Sequence, residues 1–111
     1  MSLEDLYPRV TEAIERAEAH LAAGRSADAR AAYLEVSTIE EEIANELAAH
    51  TSQGAIARCG AVRAAVDAEQ HLRALELTVR YLADPSLPAD DRAELKALAA
   101  EADANGMLLD R

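Results

Sequence analysis

The chain has 111 residues, enough for one domain, and its 21 acidic and 11 basic side chains give a net charge of −10. This balance argues against a basic footprint for nucleic acid or for an anionic membrane. No apolar run is long enough to span a membrane, no signal peptide is evident, and the lone Cys59 excludes an internal disulfide, so we expect a cytoplasmic protein.

Alanine supplies 27 residues while aromatic residues make up only 3% of the chain. Alanine is the best helix former and buries little area, so many close helix contacts must provide the stability. The composition therefore predicts an all-α domain of antiparallel helical hairpins, arranged as a four- or five-helix bundle.

The first predicted helix covers residues 6–23, because Pro8 is best tolerated in a first turn and Asp5 is a suitable N-cap. The second covers 26–50, with Ser26 as N-cap and no glycine or proline to interrupt it. Glu40, Glu41 and Glu42 within it are consecutive and splay around the helix, which favours a solvated face.

The third predicted segment covers 55–83, after a turn at 51–54. Its apolar positions keep a four-three spacing, which favours one continuous helix over a break near residue 70. These positions are Ala61, Ala65, Ala68, Leu72, Leu75, Val79 and Leu82. The only basic segment of the chain lies here, and its arginines are expected to face acidic neighbours: Arg58, Arg63, Arg73 and Arg80.

The last predicted helix covers 88–104, beginning at Pro88 and ending where Asn105 and Gly106 interrupt it. Residues 107–109 are apolar and are predicted either to fold back as a hydrophobic clasp or to fray.

The corner between the first two helices has the order Gly24, Ala29, Tyr33 and Val36, at spacings of five, four and three. This order resembles the turn and second helix of a tetratricopeptide (TPR) repeat. A weaker echo follows at His71 to Leu75, but Ala74 lies 45 residues after Ala29, whereas TPR arrays repeat every 34. The resemblance therefore implies a TPR-like hairpin at the first corner without a regular array.

The chain carries no recognisable catalytic, metal-binding or phosphate-binding motif. No histidine has a glutamate three residues before it, as di-iron bundles require, and Glu46 with His50 is more typical of an exposed pair than of a metal site. Cys59 lies in an apolar stretch and is expected to behave as a small hydrophobe. No glycine-rich phosphate loop is present. We expect a non-enzymatic protein without catalytic residues, metal or cofactor.

The TPR resemblance implies an interaction or adaptor module whose first-of-pair helices form a groove for a peptide or helix of a partner protein. The residues expected to line that face are Thr11, Glu18, Leu21, Arg63 and Asp67. One alternative is a self-assembling helical bundle, since two long apolar stripes predict a homodimer. A weaker alternative, based on charge alone, is an acidic mimic of nucleic acid.

Overall fold

The computed structural model describes the backbone of residues 1–109 and the side chains of residues 1–106. Within these residues the chain forms five helices and no strand: α1 (Leu3–Ala22), α2 (Ser26–Asn45), α3 (Ser52–Asp67), α4 (His71–Leu82) and α5 (Ala89–Leu109). The predicted all-α class, with helical hairpins in a five-helix arrangement, is confirmed.

Two consecutive hairpins, α1 with α2 and α3 with α4, turn through the same backbone conformation. Gly24 at the first corner has φ +75° and Glu69 at the second has φ +58°. In each case the next amide donates to a carbonyl five residues earlier, Arg25 to His20 and Gln70 to Ala65, both at 2.9 Å. The left-handed residue reverses the chain and satisfies the last helical carbonyls. The two hairpins are thus structurally equivalent at their corners.

The third segment is broken, so the prediction of one continuous helix over 55–83 was wrong and the break near residue 70 is real. The break also changes which face of the segment is buried. Leu72 and Val79 of the predicted stripe are 70% and 72% exposed, whereas Leu77 and Tyr81 are buried. The chain reverses between α3 and α4, so α4 has a new orientation. The apolar four-three spacing of α3 therefore does not identify the buried face of α4.

Several predicted helix ends also shift. Ser2 rather than Asp5 precedes α1, and Pro8 therefore lies inside the helix, beyond its first turn. Ser26 is the first residue of α2 and does not cap it, since Arg25 holds the N-cap position.

Three further helix ends differ from the prediction. Helix α2 stops at Asn45 instead of residue 50, and α3 begins at Ser52 instead of residue 55 because Thr51 already caps it. Thr51 caps α3, its hydroxyl oxygen accepting the Gly54 amide at 3.0 Å. Helix α5 continues through Gly106 to Leu109, so the predicted stop is wrong, and the predicted clasp by the side chains of 107–109 lies outside the described residues.

The helices form a slab 19 Å thick, close to two helix diameters. Helices α1 and α3 each pack on α2, while α3 also packs on α4 and α5. Small residues allow the close crossings: Ala13, Ala17, Ala29, Ala61 and Ala65 are all at most 2% exposed. The predicted inner stripe of α5, Leu95, Leu98 and Ala102, is fully buried. Helix α5 thereby covers the open side of the second hairpin.

A polar network ties α2 to α4 beside this core. Ser37 is fully buried, donates to the Ala61 carbonyl at 2.7 Å and accepts from Arg73 Nε at 3.0 Å. Arg73 and Arg80 then pair with the two carboxylate oxygens of Glu41, at 2.8 Å and 2.6 Å. The expectation that these arginines face acidic neighbours is confirmed for this pair.

The other two arginines of that segment differ in their partners. Arg63 pairs with Glu101 at 3.5 Å, as expected. Arg58 instead donates to the carbonyls of Gly54 and Leu47 and lies 5.6 Å from the centre of the Tyr81 ring.

Candidate functional site: a groove between the two hairpins

A groove lies where α1 and α3 stand side by side on α2. In the described chain the backbones of α1 and α3 each approach α2 but not one another, and the α2 residues that line the space between them are half-buried (Tyr33 and Glu40) or buried (Val36). The concavity has a volume of about 280 Å³. We name it the interhairpin groove, lined by Ile14, Glu18, Tyr33, Val36, Glu40, Gly60, Arg63, Ala64 and Asp67.

Three of the five predicted partner-binding residues, Glu18, Arg63 and Asp67, line this groove together. Leu21 is 57% exposed and lines an adjoining concavity of about 190 Å³, which shares Tyr33 and Asp67 with the groove. Thr11 is exposed on α1 and lines neither concavity, and its hydroxyl donates to the Tyr7 carbonyl one turn earlier. Four of the five residues therefore line two adjoining concavities, while Thr11 lies apart from both.

Glu40 is the main feature of the groove that the sequence analysis missed. Its carboxyl group is half-buried against Gly60, where even a Cβ atom would lie 3.0 Å from Glu40 Cδ. Burial raises the pKa of Glu40 to about 7, and no described cation offsets that effect. A half-buried carboxylate without a partner is costly, and such groups cluster at functional sites.

The next residue has the opposite environment. Burial also acts on Glu41, but the hydrogen bonds from Arg73 and Arg80 outweigh it and lower the pKa of Glu41. Glu42 is exposed. The prediction that residues 40–42 form a solvated face was therefore wrong for two of the three, because each residue turns towards a different neighbour.

Two other residues of the groove lining also have raised pKa values. Partial burial, together with the negative charges of Asp67 and Glu18, raises the pKa of Tyr33. Burial likewise raises the pKa of Asp67, an effect that Arg63 opposes and Glu101 reinforces. Arg63 is the single basic residue of the lining, and it is already engaged with Glu101. The groove thus combines an apolar wall with an excess of negative charge.

Replacement of Glu40 by glutamine is expected to make the protein more stable at high pH. Because the folded pKa of about 7 lies above the ordinary value of 4.5, the folded state holds its proton more tightly, and parental stability falls as pH rises from about 5 to 8. Glutamine does not titrate. Allowing for the partial exposure of the side chain, we expect a gain of about 1–2 kcal/mol at pH 8 and almost none at pH 5.

Urea melts of the parent and of Glu40→Gln across this pH range measure the effect. Glu42→Gln is the matched control, since it removes the same charge from an exposed position on the same helix. An equal gain in both variants would show that net charge, rather than burial of Glu40, controls stability.

A second concavity, about 290 Å³, lies between α3 and α5 and contains a mixed cluster. Cys59 Sγ and carboxylate oxygens of Asp91 and Glu94 lie within 4.8 Å of one another. Burial, with the nearby charges of Glu94 and Asp91, raises the pKa of Cys59 to about 12, so the thiol keeps its proton at neutral pH. A motif search along the chain could not find this cluster, because it unites residues of α3 and α5.

None of the helices in the described residues is both long and apolar enough to cross a bilayer. Comparison with known proteins gives no relative: no family model, no curated protein and no solved structure matches the chain.

Proposed function

We propose that the protein is a non-catalytic interaction module whose interhairpin groove receives a peptide or helix of a partner protein. The observation that carries this proposal is the groove itself, a concavity lined together by residues of α1, α2 and α3. Pockets lined by apolar side chains with a few convergent polar groups are typical binding sites. Ile14, Val36 and Ala64 supply the apolar part, while Glu40 and Asp67 supply the polar part.

The groove is a small recess. Its volume of about 280 Å³ falls just below the range of roughly 300–1,000 Å³ that is common for ligand pockets. The adjoining concavity beside Leu21 provides a second, smaller recess on the same face. Two neighbouring recesses match successive anchor residues of an extended or helical segment.

Selection from a random dodecapeptide display library tests the proposal. We expect recovered peptides to bind the parent with micromolar affinity, and Asp67→Trp, which puts a bulky ring at the mouth of the groove, to weaken them at least about tenfold. Asp103→Trp is the control, because Asp103 is exposed on α5 and outside the groove. Peptides that bind both variants equally would place recognition elsewhere, and a selection without binders would contradict the proposal.

The alternative of a self-assembling dimer rested on two long apolar helices. Because the third segment breaks at Glu69, α4 returns along α3, and α5 covers the second hairpin within the same chain. We accordingly expect light scattering at micromolar concentration to give a mass near the chain mass of 11.9 kDa. A mass of twice that value would support the homodimer instead.

A further inference from the structure

We propose that the interhairpin groove is selective for a basic anchor, an arginine or lysine side chain of the partner that pairs with Glu40. This inference rests on the proposed function and specifies the chemistry of its partner. Glu40 forms no salt bridge or hydrogen bond with the residues the structure describes, although its neighbour Glu41 has two arginine partners. A cationic side chain of the partner would supply the counterion that Glu40 lacks among the described residues.

Charge complementarity supports a cation rather than an apolar or acidic anchor. Three acidic residues line the groove: Glu18 on α1, Glu40 on α2 and Asp67 on α3. The opposing base, Arg63, is 3.5 Å from Glu101. An acidic side chain entering the groove would meet like charges, whereas a guanidinium or ammonium group would form charge-assisted hydrogen bonds.

The apolar lining fits the remainder of such a side chain. Arginine and lysine bury their methylene stems against apolar surface while the charged head reaches a polar partner. Ile14 is the half-buried apolar residue of the lining that provides such a surface, together with Val36 and Ala64, which are 5% and 3% exposed. Gly60 lets the carboxyl group of Glu40 pack closely against α3, since a Cβ atom there would lie 3.0 Å from Glu40 Cδ.

Short capped peptides with one variable central residue in an alanine and leucine background test the inference. The central residue is arginine, lysine, norleucine or glutamate, and amide shifts of the isotope-labelled protein report affinity and position. We expect the arginine and lysine peptides to perturb the amides around Gly60 and Ala64 and to bind at least about tenfold more tightly than the norleucine peptide. The glutamate peptide is expected to bind least.

Two matched variants assign the effect to Glu40. Glu40→Gln is expected to reduce arginine-peptide affinity at least about tenfold, while Glu42→Gln, with the same change in net charge, leaves it within about twofold. In the parent, affinity should rise roughly tenfold from about pH 6 to pH 8 as Glu40 ionises. Glu40→Gln should lose this rise while keeping the other groups that face the site, namely Glu18, Tyr33, Arg63 and Asp67.

The inference is overturned if the norleucine peptide binds as tightly as the basic ones, or if both glutamine variants behave alike. Its failure differs from failure of the proposed function. Library peptides that bind the groove without a basic residue would preserve the interaction module and remove the cationic anchor. Basic peptides that perturb only amides outside the groove would contradict both.

Discussion

Replacement of Gly54 by alanine is expected to destabilise the protein by about 3 kcal/mol, because an added Cβ would overlap the backbone of the preceding turn. The ideal Cβ position collides with the Ala48 carbonyl oxygen and lies 2.8 Å from Thr51 Oγ1. That hydroxyl donates to Ala48 and accepts from the Gly54 amide, so the collision also disturbs the cap of α3. Thermal and urea unfolding measure the loss.

Gly60→Ala is the matched control on the same helix. Its Cβ would also be close to a neighbour, 3.0 Å from Glu40 Cδ, but this neighbour is the end of a flexible side chain. The intrinsic gain of alanine in a helix offsets the displacement, so we expect a change below about 1 kcal/mol. If both variants lost the same stability, steric overlap with Ala48 would not be the cause.

Glu41→Ala is expected to cost about 2 kcal/mol, since it removes the common partner of two arginines. The side chains of Glu41 and Arg73 are 21% and 26% exposed, so this pair is screened less than a surface pair. The lowered pKa of Glu41 means that its stabilising contribution is present above the ordinary value of 4.5 and is lost as pH falls through the lower folded value. Chemical denaturation at neutral and acid pH gives both results.

Double-mutant cycles separate the two partners of Glu41. The coupling with Arg73 should exceed the coupling with Arg80, because the Arg80 side chain is 58% exposed. Glu42→Ala is the control for helix propensity and charge, and it should change stability by less than about 0.5 kcal/mol. Equal losses at Glu41 and Glu42 would mean that the network with α4 contributes little.

The sequence predicted helical content well and one helix break poorly. The corner at Gly24 was found because glycine readily adopts positive φ, whereas the equivalent corner carries Glu69, whose side chain gives no such signal. The four-three spacing also continues through that corner by coincidence, since Leu72 and Val79 complete the pattern but are exposed. Tertiary packing of α4 on α3 and α5 decides the break, and local propensity does not.

The candidate site was predictable in part. The TPR resemblance implied one face formed by first-of-pair helices, and Glu18, Arg63 and Asp67 of that set line one groove. Glu40 carried a signal that was not used, since it follows Val36 by four residues and precedes Ile43 by three, which places it on the apolar face of α2. The cluster at Cys59 depends on the position of α5 against α3, which no spacing along the chain encodes.

The one-sided attachment of α1 has a consequence for cooperativity. Within the described residues the α1 backbone approaches α2 alone, and a long hydrogen bond of 3.4 Å from Tyr7 to Gln53 joins the α1 side chains to those of α3. Helix α3, by contrast, is held by three other helices. Sub-global opening of α1 therefore breaks one interface, whereas exchange of the α3 amides requires the whole domain to unfold. The α1 wall of the interhairpin groove thus belongs to a weaker folding unit than the α3 wall. A ligand that contacts both walls joins the two units and so protects the α1 amides from hydrogen exchange.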